Sequence, residues 1–250
     1  MINSIILSGE GLTDVGESAS GAPISQDDDI LTGPMLKIVY RLIHDYSPDW
    51  YRELHDWTSP TPIPTILVSR TERARISKTL RPNLFQTHTS GRGGIEHSKS
   101  AWALATIAAE RGATLAIYFH DTDGTRSVLK RTPNLQGIIE EATIRGFTVA
   151  SSVAGVPMIP KPTSEAWFIC HAKEHPYNYC HLLETQLAGN QESEDRHPKD
   201  VLDKLIGRTH RELLNDIVDA IDLERLDMPS FNTFKENMRQ ALGRIFGQQF

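Results

Sequence analysis

Thr114-Leu115-Ala116-Ile117-Tyr118-Phe119-His120-Asp121-Thr122-Asp123-Gly124 is the stretch that decides the fold. Six residues with hardly a polar group end in a histidine, an Asp-x-Asp pair and a glycine turn. A short apolar run bounded by turn residues reads as a fully buried strand, the kind found in parallel sheets. Carboxylates placed just past such a strand lie where open α/β sheets bind their ligands. Two aspartates at i and i+2 face opposite ways while a strand continues. Where the chain turns at Gly124, both can swing toward one point.

Outward from this centre, strand and helix alternate. Toward the N-terminus, Ser4 to Ser8 reads as a buried strand that ends at Gly9. It is followed by the loop Gly9-Glu10-Gly11-Leu12-Thr13-Asp14-Val15-Gly16, with two carboxylates. Residues 17 to 32 are polar, include Asp27-Asp28-Asp29, and read as a mobile loop. A helix is expected from Gly33-Pro34, with Leu36, Val39, Tyr40 and Ile43 at helical spacing. Residues 47 to 64 read as an irregular, packed insertion. Its alternative is a docking surface built on Trp50, Trp57, Pro60, Pro62 and Pro64. A strand near 65 to 69, a flexible turn at 90 to 94 and an amphipathic helix over 96 to 111 complete the first half.

Beyond the Asp-x-Asp pair, the pattern predicts a helix over about 134 to 145 and a strand over 147 to 151. Met158-Ile159-Pro160-Lys161-Pro162-Thr163-Ser164-Glu165 then leads into a short helix. The remainder holds no good strand and reads as helices near 198 to 206, 211 to 221 and 230 to 246. The expected architecture is therefore α/β, a mostly parallel sheet flanked by helices, with a C-terminal helical appendage. The division expected is one domain over 1–175, with an insertion around 17–100, and a helical region over 176–250 on the same core.

Composition narrows the function classes. The chain has 250 residues, 39% apolar and 23% charged, as in an ordinary globular protein. No apolar run approaches the roughly 20 residues that span a bilayer, and the first residues lack a basic leader. Cys170 and Cys180 make neither a disulfide framework nor a four-ligand zinc site. They are expected to be semi-buried free thiols in a reducing cytoplasm. The formal charge of −6 argues against a general nucleic-acid coat. It hides a basic segment, however: Arg70, Arg73, Arg75, Lys78, Arg81, Arg92 and Lys99 face only Glu72 and Glu96 between residues 70 and 99. That segment reads either as a solvated helix surface or as a track for a nucleic-acid backbone.

Three acidic groupings sit at or just past expected strand ends: Glu10 with Asp14, Asp121 with Asp123, and Glu165. Carboxylates crowded together raise one another's pKa, and a divalent cation removes that repulsion. All-oxygen ligation suits Mg²⁺, Mn²⁺ or Ca²⁺ rather than zinc or copper. Taken singly, each has a plainer reading: a turn former for the Asp pair, a cap for Asp14, a first-turn acid for Glu165 and a surface lysine for Lys161.

Together, Gly9-Glu10-Gly11, the strand with Asp121-Thr122-Asp123-Gly124, and Lys161-Pro162 with Glu165 resemble a TOPRIM-type domain. More narrowly they are similar to an uncharacterised bacterial TOPRIM-like family with EGxTD, DTDG and KPxxEAW motifs. Gly33-Pro34-Met35, His197-Pro198-Lys199 and Pro229-Ser230-Phe231 resemble its accessory motifs. The resemblance implies a metal-dependent nuclease, with phage defence among the roles of the wider superfamily. It makes Glu10 a ligand or general base, Asp121 and Asp123 metal ligands, Glu165 a further acid and Lys161 the cation beside the scissile phosphate. The 110 or so residues from Glu10 to Asp121 exceed a compact TOPRIM domain, hence the insertion. The implied partner is DNA or RNA, bound with little sequence specificity through the basic segment, because no base-reading module is visible. A protein partner would then supply any specificity. His120 is a further candidate acid–base group.

Two other classes fit part of the pattern. A haloacid-dehalogenase-like phosphatase would use Asp121 as nucleophile and Asp123 as general acid. Its motif normally opens the fold, however, and no convincing Gly-Asp-x-x-x-Asp follows here. A non-enzymatic metal- or nucleotide-binding subunit would keep the acids without turnover.

Overall fold

The computed structural model describes residues 1–80, 85, 92–123, 132, 134–150, 153–188, 196–208 and 210–247. The fold is α/β, as expected. Its main sheet has the order β3 (Ile24–Gln26), β5 (Thr65–Val68), β1 (Ile5–Ser8), β6 (Leu115–Phe119), β7 (Ala154–Met158). The central strand β1 (Ile5–Ser8) is buried along its whole length, which is why it has no polar alternation. It pairs in parallel with β5 (Thr65–Val68) on one side and with β6 (Leu115–Phe119) on the other. β6 in turn pairs in parallel with β7 (Ala154–Met158). The chain leaves β1 toward β5, crosses back to β6, and then moves outward to β7. Adjacent strands whose connections depart in opposite directions leave a crevice at their carboxyl ends. In register, Ser8 lies opposite Tyr118, so β1 and β6 end together.

Two departures from the sequence reading concern strands. The polar stretch 17–32 is structured: β2 (Gly16–Ser18) and β4 (Ile30–Thr32) form an antiparallel pair, and β3 (Ile24–Gln26) adds an antiparallel edge to β5. Asp29 holds this hairpin, accepting bonds from the Ser18 and Ser20 hydroxyls at 2.8 Å each. Of the strand expected over 147 to 151, residues 147 to 150 are instead helical, and residue 151 lies outside the described residues. Ile139, Ala142, Thr143, Gly146 and Phe147 are buried at helical spacing, so one helix continues to Ala150 and the strand begins four residues later.

Of the helices, α1 (Leu12–Val15) follows β1, and α2 (Pro34–Tyr46) starts with proline in its first turn. Next come α3 (Asp49–Arg52), α4 (Arg70–Ser77) and α5 (Arg92–Arg111), the last starting earlier than expected and absorbing residues 92 to 94 of the supposed turn. Then follow α6 (Leu135–Ala150), α7 (Glu165–Ala172), α8 (Leu183–Gln186), α9 (Pro198–Ile206), α10 (Arg211–Ala220) and α11 (Pro229–Phe246). The insertion after α2 is packed: Tyr51 is fully buried against Phe246, and the Trp57 indole N–H donates to the Arg52 carbonyl. Trp50 is half exposed.

The chain divides into two compact units that are discontinuous in sequence, where the sequence reading divided it at residue 175. The first comprises Met1–Phe119, Ile138–Met158 and Glu236–Phe250, and the second His120–Gly137 and Ile159–Lys235. In the first unit α5 and α6 approach closely at Gly146. A Cβ there would sit 2.2 Å from the Ser98 carbonyl oxygen, and the Ser98 hydroxyl donates to Ala142 O at 2.8 Å. Gly146→Ala is therefore expected to cost about 1–3 kcal/mol, despite alanine's better helix propensity, because backbone must move. A urea midpoint at or above that of wild type would contradict this close crossing.

Cys170 and Cys180 are joined by a disulfide, correcting the expectation of two free thiols. After α7 the chain turns back through left-handed residues at Tyr177 and Tyr179, which brings the two Cα atoms to 5.3 Å. The cytoplasmic expectation rested partly on free thiols and loses that support. Among the described residues, no helix is long and apolar enough to cross a membrane.

Candidate functional site

The candidate residues fall in both units, and each group has its own construction. In the first unit, Glu10 follows β1 by two residues. Gly9 is required beside it: a Cβ at that position would meet Val15 Cγ2 at 2.6 Å and Phe119 Cδ1 at 2.8 Å. At Gly11 the Asp14 carboxylate lies where a Cβ would be, so a side chain there would displace Asp14. The EGxTD segment is thus a tight turn with Asp14 folded back over Gly11. Glu10 lines a cleft of about 630 Å³, together with Val15, Ala22, Pro23, Val68 and Arg70 among others. The cleft lies at the carboxyl ends of β1 and β5, and the Arg70 guanidinium is 3.8 Å from the Glu10 carboxylate at its edge.

Behind this turn is a feature that the sequence concealed. Arg73, read as part of the basic segment, is turned inward and only 4% exposed. Its guanidinium donates to the Ser8 hydroxyl at 2.7 Å and lies over the Tyr118 ring, 4.9 Å from the centroid. Ser8 donates onward to Val68 O, and the Tyr118 hydroxyl meets His97 Nδ1 at 3.0 Å. Burial lowers the Arg73 pKa, while Tyr118 and Glu10 raise it. Burial likewise raises that of Tyr118. A cation is therefore held under the ends of β1 and β6. Arg70, Arg75 and Lys78 are exposed, although Arg75 is paired with Glu72 and Lys99 with Glu96. Arg81 and the Arg92 side chain lie outside the described residues.

In the second unit, the Asp-x-Asp and Lys-Pro-x-x-Glu segments are brought together. Asp121 Oδ1 accepts the Ser164 N–H at 3.0 Å. Buried Thr122 is latched to the same segment: its N–H donates to Pro160 O at 3.1 Å and its hydroxyl at 2.8 Å. Lys161–Pro162 is a cis peptide. Ser164 precedes the first residue of α7, so Asp121 lies at the start of the helix that carries Glu165 in its first turn. Asp123 and Lys161 are partly exposed. The Thr163 hydroxyl, between Lys161 and Glu165, is buried with no hydrogen-bond partner. Among the described residues no three His, Cys, Asp or Glu side chains gather in a metal-holding group.

The opening turns of α7 are fixed from the other side by buried groups, of which the sequence reading held Trp167 and Ser230 within motifs and missed Glu184. Trp167 is fully buried and donates from Nε1 to the Ser230 hydroxyl at 3.0 Å. Ser230 N–H in turn donates to the buried Glu184 carboxylate at 2.7 Å. Burial raises the Glu184 pKa above its ordinary 4.5, with Ser230 and the Lys161 charge opposing. A raised carboxylate pKa means that the folded chain keeps a proton the unfolded chain has released. Stability from this group is thus full below pH 4.5 and declines as pH rises toward the folded pKa. Glu184→Gln is expected to gain on wild type in urea midpoint as pH rises through that window. A constant difference from about pH 4 to 7 would contradict it. A buried glutamate in a polar stretch leaves no mark in the sequence; only the return of α11 to α8 reveals it.

No family model matches the chain, and no curated protein or solved structure matches it either. The class defined by fold and site together is an open, mostly parallel α/β protein with acidic and basic side chains at the carboxyl ends of its strands.

Proposed function

We propose that the chain is a Mg²⁺- or Mn²⁺-dependent phosphodiester hydrolase of the TOPRIM type, acting on nucleic acid. The observation that carries this reading is the latch in the second unit, where Asp121 and Thr122 seize the segment bearing Lys161 and Glu165. Two motifs about 40 residues apart are joined by their polar atoms, which a pair of unrelated turns does not require. The common ending of β1 and β6, each followed by an acid within three residues, supports it.

The donors present are of the right kind for such a cation: hard carboxylate oxygens on two segments that the Asp121–Ser164 bond joins. Mg²⁺ commonly uses one or two carboxylates and keeps its waters, so a cage of three side chains is not demanded. In the second unit Asp121 and Asp123 would hold it, with Glu165 a further acid on the latched segment; Glu10 and Asp14 are proposed as ligands in the first unit by itself. What the cation supplies when bound is polarisation of a phosphodiester oxygen and a lowered pKa for the attacking water. In the first unit, Glu10 would be a ligand or a general base. Lys161 stabilises the charge that develops on the phosphate oxygens. Arg70, Arg75 and Lys78 are proposed to follow the strand's backbone, giving affinity that falls with salt.

The reading is tested by incubating the purified full chain with plasmid, single-stranded DNA and RNA, each with Mn²⁺, Mg²⁺ or EDTA, beside a phosphomonoester substrate. Metal-dependent strand scission supports it. Phosphate release from the monoester alone would move the assignment to a phosphatase with Asp121 as nucleophile. Inertness toward every substrate would leave a binding subunit.

A further inference from the structure

Buried hydroxyls are nearly always hydrogen-bonded, and one that is not calls for a ligand or carries a cost. Among the described residues the hydroxyls of Ser47, Thr143 and Thr163 are buried without a partner. Ser47 follows α2 and Thr143 lies in the middle of α6, both in the first unit and far in sequence from any candidate acid. Thr163 differs from them in its surroundings. Its backbone belongs to the segment that Thr122 grips through Pro160 and, at 3.4 Å, Pro162. The next residue, Ser164, gives its N–H to Asp121. Lys161 lies two residues before it and Glu165 two after. The residue is 92% buried and fixed from both sides, so its hydroxyl is held in place while its hydrogen-bonding capacity is unspent.

We propose that Thr163, with Lys161, forms a phosphate subsite in the second unit, the hydroxyl donating to a non-bridging oxygen that Lys161 neutralises. A hydroxyl donor and an ammonium are complementary to the oxygens of one phosphate group, whether in a strand or on a monoester. The subsite deepens the hydrolase reading and rests on it for the source of the phosphate. Thr163 is a binding residue here, and the proton stays on its oxygen.

The test separates a ligand donor from a packing defect. Thr163→Val keeps the shape and removes the hydroxyl, Thr163→Ser keeps the hydroxyl, and Thr143→Val removes an unpartnered hydroxyl remote from the candidate acids. For each, in the full chain, the urea midpoint is measured along with binding of inorganic phosphate and of a short fluorescent single-stranded oligonucleotide in EDTA. Removing a buried, unpartnered hydroxyl relieves a desolvation cost, so both valine variants are expected to be at least as stable as wild type. Thr163→Val is expected to weaken binding about tenfold, as for one hydrogen bond to a charged group. Thr163→Ser should stay within about twofold, and Thr143→Val should bind as wild type does. Weakening toward both probes identifies the phosphate itself as what is recognised; weakening toward the oligonucleotide alone assigns the subsite to a strand. Unchanged binding in Thr163→Val, no binding of either probe by wild type, or loss of stability in Thr163→Val would each overturn the subsite. Failure of the hydrolase reading looks different: phosphate and strand are bound through Thr163, yet no bond is cleaved with metal present.

Discussion

Asp121→Asn combined with Asp123→Asn is expected to lower metal-dependent strand cleavage by on the order of 10³-fold while leaving the fold intact. The amide of asparagine retains a carbonyl oxygen, so residue 121 can still accept the Ser164 N–H that now goes to its carboxylate. Thr122 keeps both of its bonds to Pro160. What disappears is the negative charge, and with it the attraction for a divalent cation. Loss of several kcal/mol of charge stabilisation in the transition state corresponds to that factor. The urea midpoint should be close to that of wild type. Full activity in the double variant would remove the pair from the chemistry, and loss of activity accompanied by unfolding would make its role structural.

Trp167→Ala is the change expected to cost most in stability, about 3–5 kcal/mol. The side chain is fully buried in the second unit, 4.9 Å from the Phe231 ring in an edge contact and 6.1 Å from Phe234 in a stacked one. Truncation leaves a cavity and deprives Ser230 of its indole donor. Trp167→Phe keeps most of the apolar volume and loses the N–H, so it should fall between the two. Because the chain divides into two units, the loss should be read within the second, by hydrogen exchange of Glu165–Ala172 under mild urea. Equal protection of α7 in wild type and Trp167→Ala would contradict its role as the anchor of that helix.

Much of the sheet was legible in the sequence for a simple reason. Central parallel strands are buried on both faces, so Ile5-Ile6-Leu7, Thr65-Ile66-Leu67-Val68 and Leu115-Ala116-Ile117-Tyr118-Phe119 show as uninterrupted apolar runs. β7 was not legible, because Ala154-Gly155-Val156-Pro157-Met158 carries few strand-favouring residues and owes its place to pairing with β6. Phe147 and Val149 carried a strand propensity that the helical spacing from Ile139 onward overrode. The antiparallel β2–β4 pair was hidden by polarity, since its order comes from Asp29 gripping two serines rather than from apolar burial.

The site was legible in part. The acids announce themselves by position after strands, and the contact of Asp121 with Ser164 joins two motifs that the sequence could only set side by side. Arg73 was misplaced because an arginine in a charged helix ordinarily faces water, and only the tertiary approach of Tyr118 and Ser8 gives it an interior partner. The disulfide was missed for a similar reason: ten residues between cysteines say nothing about Cα separation until the turn at Tyr177 and Tyr179 is known.

The central claim is that these carboxylates hold a divalent cation. Its most direct test is an equilibrium titration of the full chain with Mn²⁺, read by the paramagnetic resonance of the free ion, in wild type and in Asp121→Asn/Asp123→Asn. The account predicts saturable binding by wild type, weakened at least about tenfold in the variant and competed by Mg²⁺. Absence of saturable binding in wild type, or equal affinity in the two proteins, would contradict it.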